Sequence, residues 1–231
     1  MKDLDRLDCA NKFAQNFFNE YRAAIGNIGA REKGEPHIYE SREDFKKRGG
    51  AKWKLLVELL QAIMSCDDGP FPTRGDDGRI QYPTPIDDDP TAMTGSSKIV
   101  IYVEIVKTVP SLVNTLRLFG IDALVCTGGR SQRARREALQ NFRDPEGSYR
   151  VLVLSKIGNA GLNLHHAQHL IFGDMVWSGQ TQEQIIGRVC RPPNAKQVYV
   201  WVPRVLGTSD MKFHEFSNTK QSLLETFLST Y

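Results

Sequence analysis

The chain has 231 residues, 40% hydrophobic and 25% charged, with a formal net charge of +3; that length suits one or two domains with a buried core. The charge is too small to argue for a polyanionic partner by itself, and no segment approaches the roughly 20 apolar residues of a membrane span. Nor does the opening MKDLDRLDC hold the apolar centre of a secretion signal, and Cys9, Cys66, Cys126 and Cys190 lack C-x-x-C spacing, which excludes a cysteine zinc site and suits the reduced thiols of an intracellular protein.

Along the chain, Phe13, Phe17, Phe18, Tyr21 and Ile25 recur at helical spacing and Gly26 to Pro36 breaks it. Trp53 to Met64 (WKLLVELLQAIM) predicts a stronger amphipathic helix, so residues 1–65 form a helical N-terminal segment. Residues 66–97, rich in Asp, Pro and Gly and without periodicity, predict a flexible acidic loop. From Lys98 the pattern alternates. A strand over Lys98–Ile105 (KIVIYVEI) leads to a helix marked by Val109, Leu112, Val113, Leu116 and Phe119, then to a second strand, Ile121–Thr127, that ends at Gly128-Gly129. Ser131 is a helix N-cap by type and place. Tyr149–Ser155 (YRVLVLS) reads as a buried parallel strand, followed by a turn over Lys156–Ala160 and by GLNL at Gly161–Leu164, where Gly158 and Gly161 let backbone approach a ligand. Val198–Val205 is a last strand, and Phe213, Phe216, Leu223, Leu224 and Phe227 predict a C-terminal helix over 211–231.

Between these lies the most informative stretch, Asp174 to Arg191 (DMVWSGQTQEQIIGRVCR). On a helix, residues three and four apart are neighbours, so Gln184, Arg188 and Arg191 share a face. Arginine stays charged and binds phosphoryl oxygens bidentately through a planar fork, so this face suits a phosphate. A second basic group, Arg130, Arg133, Arg135, Arg136 and Arg143, flanks Gly128-Gly129; a solvated helix surface and a phosphate-backbone contact account for it equally. His165, His166 and His169 have no Cys or carboxylate cluster beside them to complete a metal site.

The spacing Q-x-x-G-R-x-x-R at Gln184–Arg191, with Asp174 and Trp177 upstream, resembles the last motif of superfamily-two helicases, and most closely that of the Swi/Snf-like ATPases. GLNL, the Arg135 and Phe142 spacing, the AKWKLLVELL helix and the turn Gly207-Thr208-Ser209-Asp210 resemble further parts of that family in order. The loop before GLNL is one residue shorter than the family's. The resemblance implies an α/β fold: a RecA-like parallel-sheet lobe over Lys98–Asp210, the second lobe of a phosphate-loop NTPase. It also implies that Arg188 and Arg191 act as arginine fingers beside Gln184 on the γ-phosphate of ATP bound by another lobe. Gly161, Asn163 and Asp174 then lie at the nucleotide, while Gly128, Gly129, Arg130, Ser131, Ser155 and Lys156 meet the backbone of double-stranded DNA or chromatin, in the nucleus.

ATP hydrolysis in that family also needs a Gly-rich loop of the form G-x-x-x-x-G-K-[ST] and magnesium carboxylates. No Gly-Lys and no Asp-Glu dipeptide occurs in this sequence, and Pro83 and Pro85 rule out a central strand before Asp87–Asp89. Any Mg2+ therefore belongs to an N-terminal helicase lobe supplied in cis or in trans, and this chain by itself is expected not to hydrolyse ATP. Two readings stay open. The chain is the motor lobe of an ATP-dependent DNA translocase, or it is a non-catalytic remnant that binds nucleic acid or protein.

Overall fold

A computed structural model of the chain describes residues 37–65, 73–74, 76, 80–81, 95–156, 162–176, 178–191, 197–205 and 210. The helices expected over 11–25 and 211–228 lie outside them.

Helix α1, Arg42–Arg48, starts where Ser41 Oγ accepts the amide hydrogen of Asp44 at 3.1 Å, with acids in its first turn and bases in its last, the arrangement its dipole favours. It ends at Gly49, where a Cβ would lie 2.5 Å from Phe45 O and 2.7 Å from the Phe45 ring. Helix α2, Ala51–Ser65, buries Trp53, Leu56, Val57, Leu60, Ile63 and Met64. Those positions recur every three or four residues and form one stripe. Between residues 66 and 97, β1 (Thr73–Arg74) and β2 (Ile80–Gln81) make a small antiparallel pair.

The remaining strands are β3 (Ile99–Val103), β4 (Ala123–Cys126), β5 (Val151–Ser155), β6 (His169–Phe172) and β7 (Tyr199–Trp201). They form one sheet in the order β4-β5-β3-β6-β7, parallel at every junction. The parallel α/β lobe expected over Lys98–Asp210 is therefore present. Each connection is a helical crossover or a longer loop, as parallel pairing requires: a single 3₁₀ turn over Val106–Thr108 and α3 (Val109–Leu118) after β3, α4 (Gln132–Arg143) after β4, and α5 (Gly179–Val189) after β6.

Side chains alternate between faces along a strand. Ile99, Ile101, Val103, Val151, Val153 and Ile171 face α2 and α3, where they pack with Leu56, Leu60, Leu112 and Leu116. Val100, Tyr102, Leu152, Leu154, Leu170 and Phe172 face the other way, with Leu139 and Phe142 of α4 and Ile185 and Val189 of α5. Helix α2 is thus part of the lobe's own core. Lys52 of α2 and Asp210 meet at 2.9 Å with both side chains 1% exposed, and Asp210 Oδ2 accepts the Val205 amide at 3.1 Å.

Candidate nucleotide and nucleic-acid interface

All parallel strands end on one edge, and four loops gather there. Pairing of β4 with β5 through Cys126↔Leu154 sets the two exits side by side. A Cβ on Gly128 would lie 3.9 Å from Lys156 O, and one on Gly129 would meet nothing within 4 Å. Gly128, Gly129, Arg130 and Lys156 are exposed. The Arg130 amide donates to Thr127 O at 3.1 Å, turning the chain into α4, whose N-cap is Ser131, as expected, with Oγ accepting the Ala134 amide at 3.2 Å. Ser155, 1% exposed, ends β5 with its hydroxyl unpaired inside the protein. The Arg135 Nε is likewise unpaired, and the Arg135 charge opposes the upward push that burial gives the Cys126 thiol. The six residues assigned to a nucleic-acid backbone thus come together around two adjacent strand ends.

The loop after β6 leads into α5, which runs back along one face of the sheet. Ser178 Oγ accepts the Thr181 amide at 3.4 Å and starts the helix. Buried Ile185 and Val189 hold one face against the sheet, which leaves Gln184 and Arg191 exposed and Arg188 half-buried. Arg188 O accepts the Leu164 amide at 3.0 Å, tying the helix to the end of GLNL. Arg191 falls two residues past the end of α5, not on the helix face expected to carry it, and its Nε donates to Gly187 O at 2.9 Å, capping a terminal carbonyl of α5. Asn163 is half-buried; its Oδ1 accepts the His165 amide at 3.3 Å, and its carbonyl accepts Arg143 Nη2 at 3.2 Å. Gly161 and Trp177 lie outside the described residues.

Asp174 is 1% exposed, and its carboxylate accepts the amides of Glu104 at 2.6 Å and Ile105 at 3.0 Å. Beside it, the Tyr102 hydroxyl donates to Glu104 Oε2 at 2.6 Å. Burial first, then that bond and the charges of Glu104 and Asp174, push the Tyr102 hydroxyl far above its usual range, with Arg188 acting in the opposite sense. Sequence reasoning missed Tyr102 and Glu104; the polar end of an otherwise apolar strand, at Tyr102 and Glu104 of KIVIYVEI, is the one signal that marks them.

Of the three histidines, His169 is buried on β6, accepting Trp201 Nε1 at its Nδ1 at 3.1 Å and stacked on Tyr199. His165 and His166 lie ring to ring, 3.8 Å between centroids. Among the described residues no three His, Cys, Asp or Glu side chains group as metal ligands, and no helix is long and apolar enough to cross a membrane.

A five-stranded parallel sheet covered by helices on both faces, with glycine turns at its carboxyl edge and an arginine-bearing helix on one face, defines a RecA-like α/β lobe. Residues 91–193 match the helicase conserved C-terminal domain. Over these residues the chain resembles the C-terminal helicase lobe of Swi/Snf-like, superfamily-two proteins. It is 33% identical over 135 residues to an ATP-dependent helicase of Schizosaccharomyces pombe, covering 58% of this chain and 13% of that protein. It is 26% identical over 189 residues to the DNA repair and recombination protein RAD54B of Gallus gallus, covering 81% of this chain and 18% of that protein. The chain thus spans less than a fifth of these relatives' length. Among solved structures it is similar to the C-terminal part of the Fun30 ATPase domain, with 20% identity, TM-score 0.48, and coverage of 52% of this chain and 39% of that one.

Proposed function

We propose that the chain is the second motor lobe of an ATP-dependent DNA translocase, acting in the nucleus with an N-terminal helicase lobe supplied in cis or in trans. The observation that carries this reading is the placement of Gln184 and Arg188 on the outer side of α5, with Arg191 two residues past its end and Arg188 O accepting the Leu164 amide of GLNL at 3.0 Å. ATP held across the cleft with Mg2+ by the facing lobe supplies the γ-phosphoryl group, whose charge spreads over its equatorial oxygens in the transition state. The guanidinium groups of Arg188 and Arg191 are suited to those oxygens, and the Gln184 amide to donating a hydrogen bond beside them. Arg191 is exposed, with its Nε holding the helix end at Gly187 O. Asn163, beside Gly161, is the candidate ribose contact.

Around Gly128–Ser131 and Ser155–Lys156, backbone amides and small side chains suit successive phosphates of duplex DNA, with Arg130 and Lys156 adding charge. Contacts of this kind position a protein without reading sequence. The test is turnover. The purified chain should hydrolyse ATP no faster than buffer, with or without DNA, and should gain DNA-stimulated turnover when a lobe carrying the phosphate loop is added. DNA-stimulated hydrolysis by the chain alone would overturn the reading. Binding of DNA with no gain on adding that lobe would favour the binding-module reading.

A further inference from the structure

We propose that Asp174 is a positioning residue, which closes the crevice between β3 and β6 and sets the height at which α5 presents its arginines, in place of a contact with nucleotide. The inference rests on the reading of Arg188 and Arg191 as fingers. In an open α/β sheet, ligands enter beyond the strand ends where neighbouring strands send their chains to opposite faces. β3 and β6 are such neighbours. They pair from Ile99↔His169 to Tyr102↔Phe172, yet β3 leads to α3 on one face and β6 to α5 on the other.

That crevice is filled by the protein itself. The Gly173 amide donates to Tyr102 O at 2.8 Å, and a Cβ on Gly173 would lie 3.3 Å from Ile101 Cγ2 and 3.4 Å from Tyr102 O. A side chain here would be a tight fit, so the two chains run close together. One residue on, the Asp174 carboxylate takes the amides of Glu104 and Ile105, the first two beyond β3. Buried amides need acceptors, and bonds to an ionised carboxylate are stronger than neutral ones, so the β3 and β6 exits are joined. With 1% exposure, Asp174 offers no free surface to a nucleotide. The Tyr102 hydroxyl grips the same turn through Glu104 at 2.6 Å, and α5 begins five residues beyond Asp174, at Gly179.

The test uses the full chain and Asp174→Asn, which keeps the shape but turns an NH2 group toward one of the two amides. Backbone amide exchange and the Arg188 Nε–H resonance are followed by NMR, and affinity is measured with the fluorescent analogue mant-ATP. Exchange at Glu104 and Ile105 should accelerate at least about tenfold, the factor of one lost interaction of about 1.4 kcal/mol. The Arg188 resonance should shift, Ile101 and Val153 should exchange as before, and mant-ATP affinity, or its absence, should match the parent within about twofold. Unchanged exchange at Glu104 and Ile105, a uniform rise that includes Ile101 and Val153, an unmoved Arg188 resonance, or a tenfold loss of mant-ATP affinity would each overturn the proposal. If Asp174→Asn does not fold, Tyr102→Phe serves instead: it should speed exchange at Glu104 and shift the Arg188 resonance, and no change in either would overturn the proposal. Failure of the finger reading is separable, because Arg188→Ala would then leave turnover with an added first lobe intact whatever the exchange data show.

Discussion

Replacing Asp210 by Leu tests whether the helix that enters the lobe and the chain that leaves it share one anchor. Lys52 Nζ and Asp210 Oδ1 lie 2.9 Å apart, 158 residues apart in sequence, and each side chain is 1% exposed. Asp210→Leu leaves a buried ammonium without its counter-charge and the Val205 amide without the acceptor it had at 3.1 Å. Breaking a buried pair from one side costs about 3–5 kcal/mol, and an orphaned amide adds about 1–3 kcal/mol. The Lys52 stem can swing its head toward water, so a net loss of about 4 kcal/mol is expected, against a total of about 5–15 kcal/mol for a typical domain. At about 2–4 °C per kcal/mol for a domain of this size, Tm should fall by roughly 10 °C. Urea unfolding followed by tryptophan fluorescence measures the free energy, and a thermal melt followed by circular dichroism measures Tm. Lys52→Met combined with Asp210→Leu removes both charges, so it should recover more than half of the loss, a non-additivity expected of contacting residues. A single-variant loss under about 1 kcal/mol, or a double variant equal to the sum of its singles, would refute the argument.

With a first lobe supplied, Arg188→Ala and Arg191→Ala should lower turnover by on the order of 10³–10⁵ while ATP binding changes far less, since finger charges act mainly in the transition state; Arg→Lys should restore only part, having lost the fork. Equal losses in binding and rate in a turnover and titration series would identify a ground-state clamp instead. Duplex DNA affinity should fall steeply with salt and vary little with sequence, and Arg130→Ala with Lys156→Ala should flatten the log–log slope by up to about 1.8, roughly 0.9 per phosphate contact; an unchanged slope in fluorescence anisotropy removes both residues from the interface. Burial, then the charges of His165, Arg143 and Lys98, hold the His166 pKa below its ordinary 6.5. The unfolded chain therefore binds more protons just below pH 6.5, so stability should decline as pH falls through that window. His166→Gln should remove that part of the slope in urea midpoints, and an identical slope in the variant would refute the assignment.

The parts of this lobe that were legible in the sequence are those where one short signal decides the structure. β3 and β5 are five-residue runs buried on both faces, so they read as continuous apolar segments. Ser131 is followed directly by a helix whose amide it caps, and α5 declares itself because Ile185 and Val189 alternate with Gln184 and Arg188 at helical spacing. β6 was missed. It has four residues, opens with a histidine and follows two others, so its apolar content, Leu170-Ile171-Phe172, is too short to separate from a loop. His169 makes sense only beside Trp201, 32 residues later.

What the sequence hid follows from the same cause. The roles of Asp174, Lys52 and Tyr102 depend on partners brought close by strand order, with Asp174 and Glu104 70 residues apart and Lys52 and Asp210 158 apart. No periodicity carries such a pairing. A family motif marks Asp174 as a residue of interest without saying whether it meets a ligand or the fold, and its 1% exposure with two amides in hand is what favours the fold. Gln184 and Arg191 differ in kind, for both side chains stand exposed, one on α5 and the other just past its end. The site residues therefore divide into exposed side chains and buried ones bonded within the fold, and only the first kind announces itself by residue type and spacing.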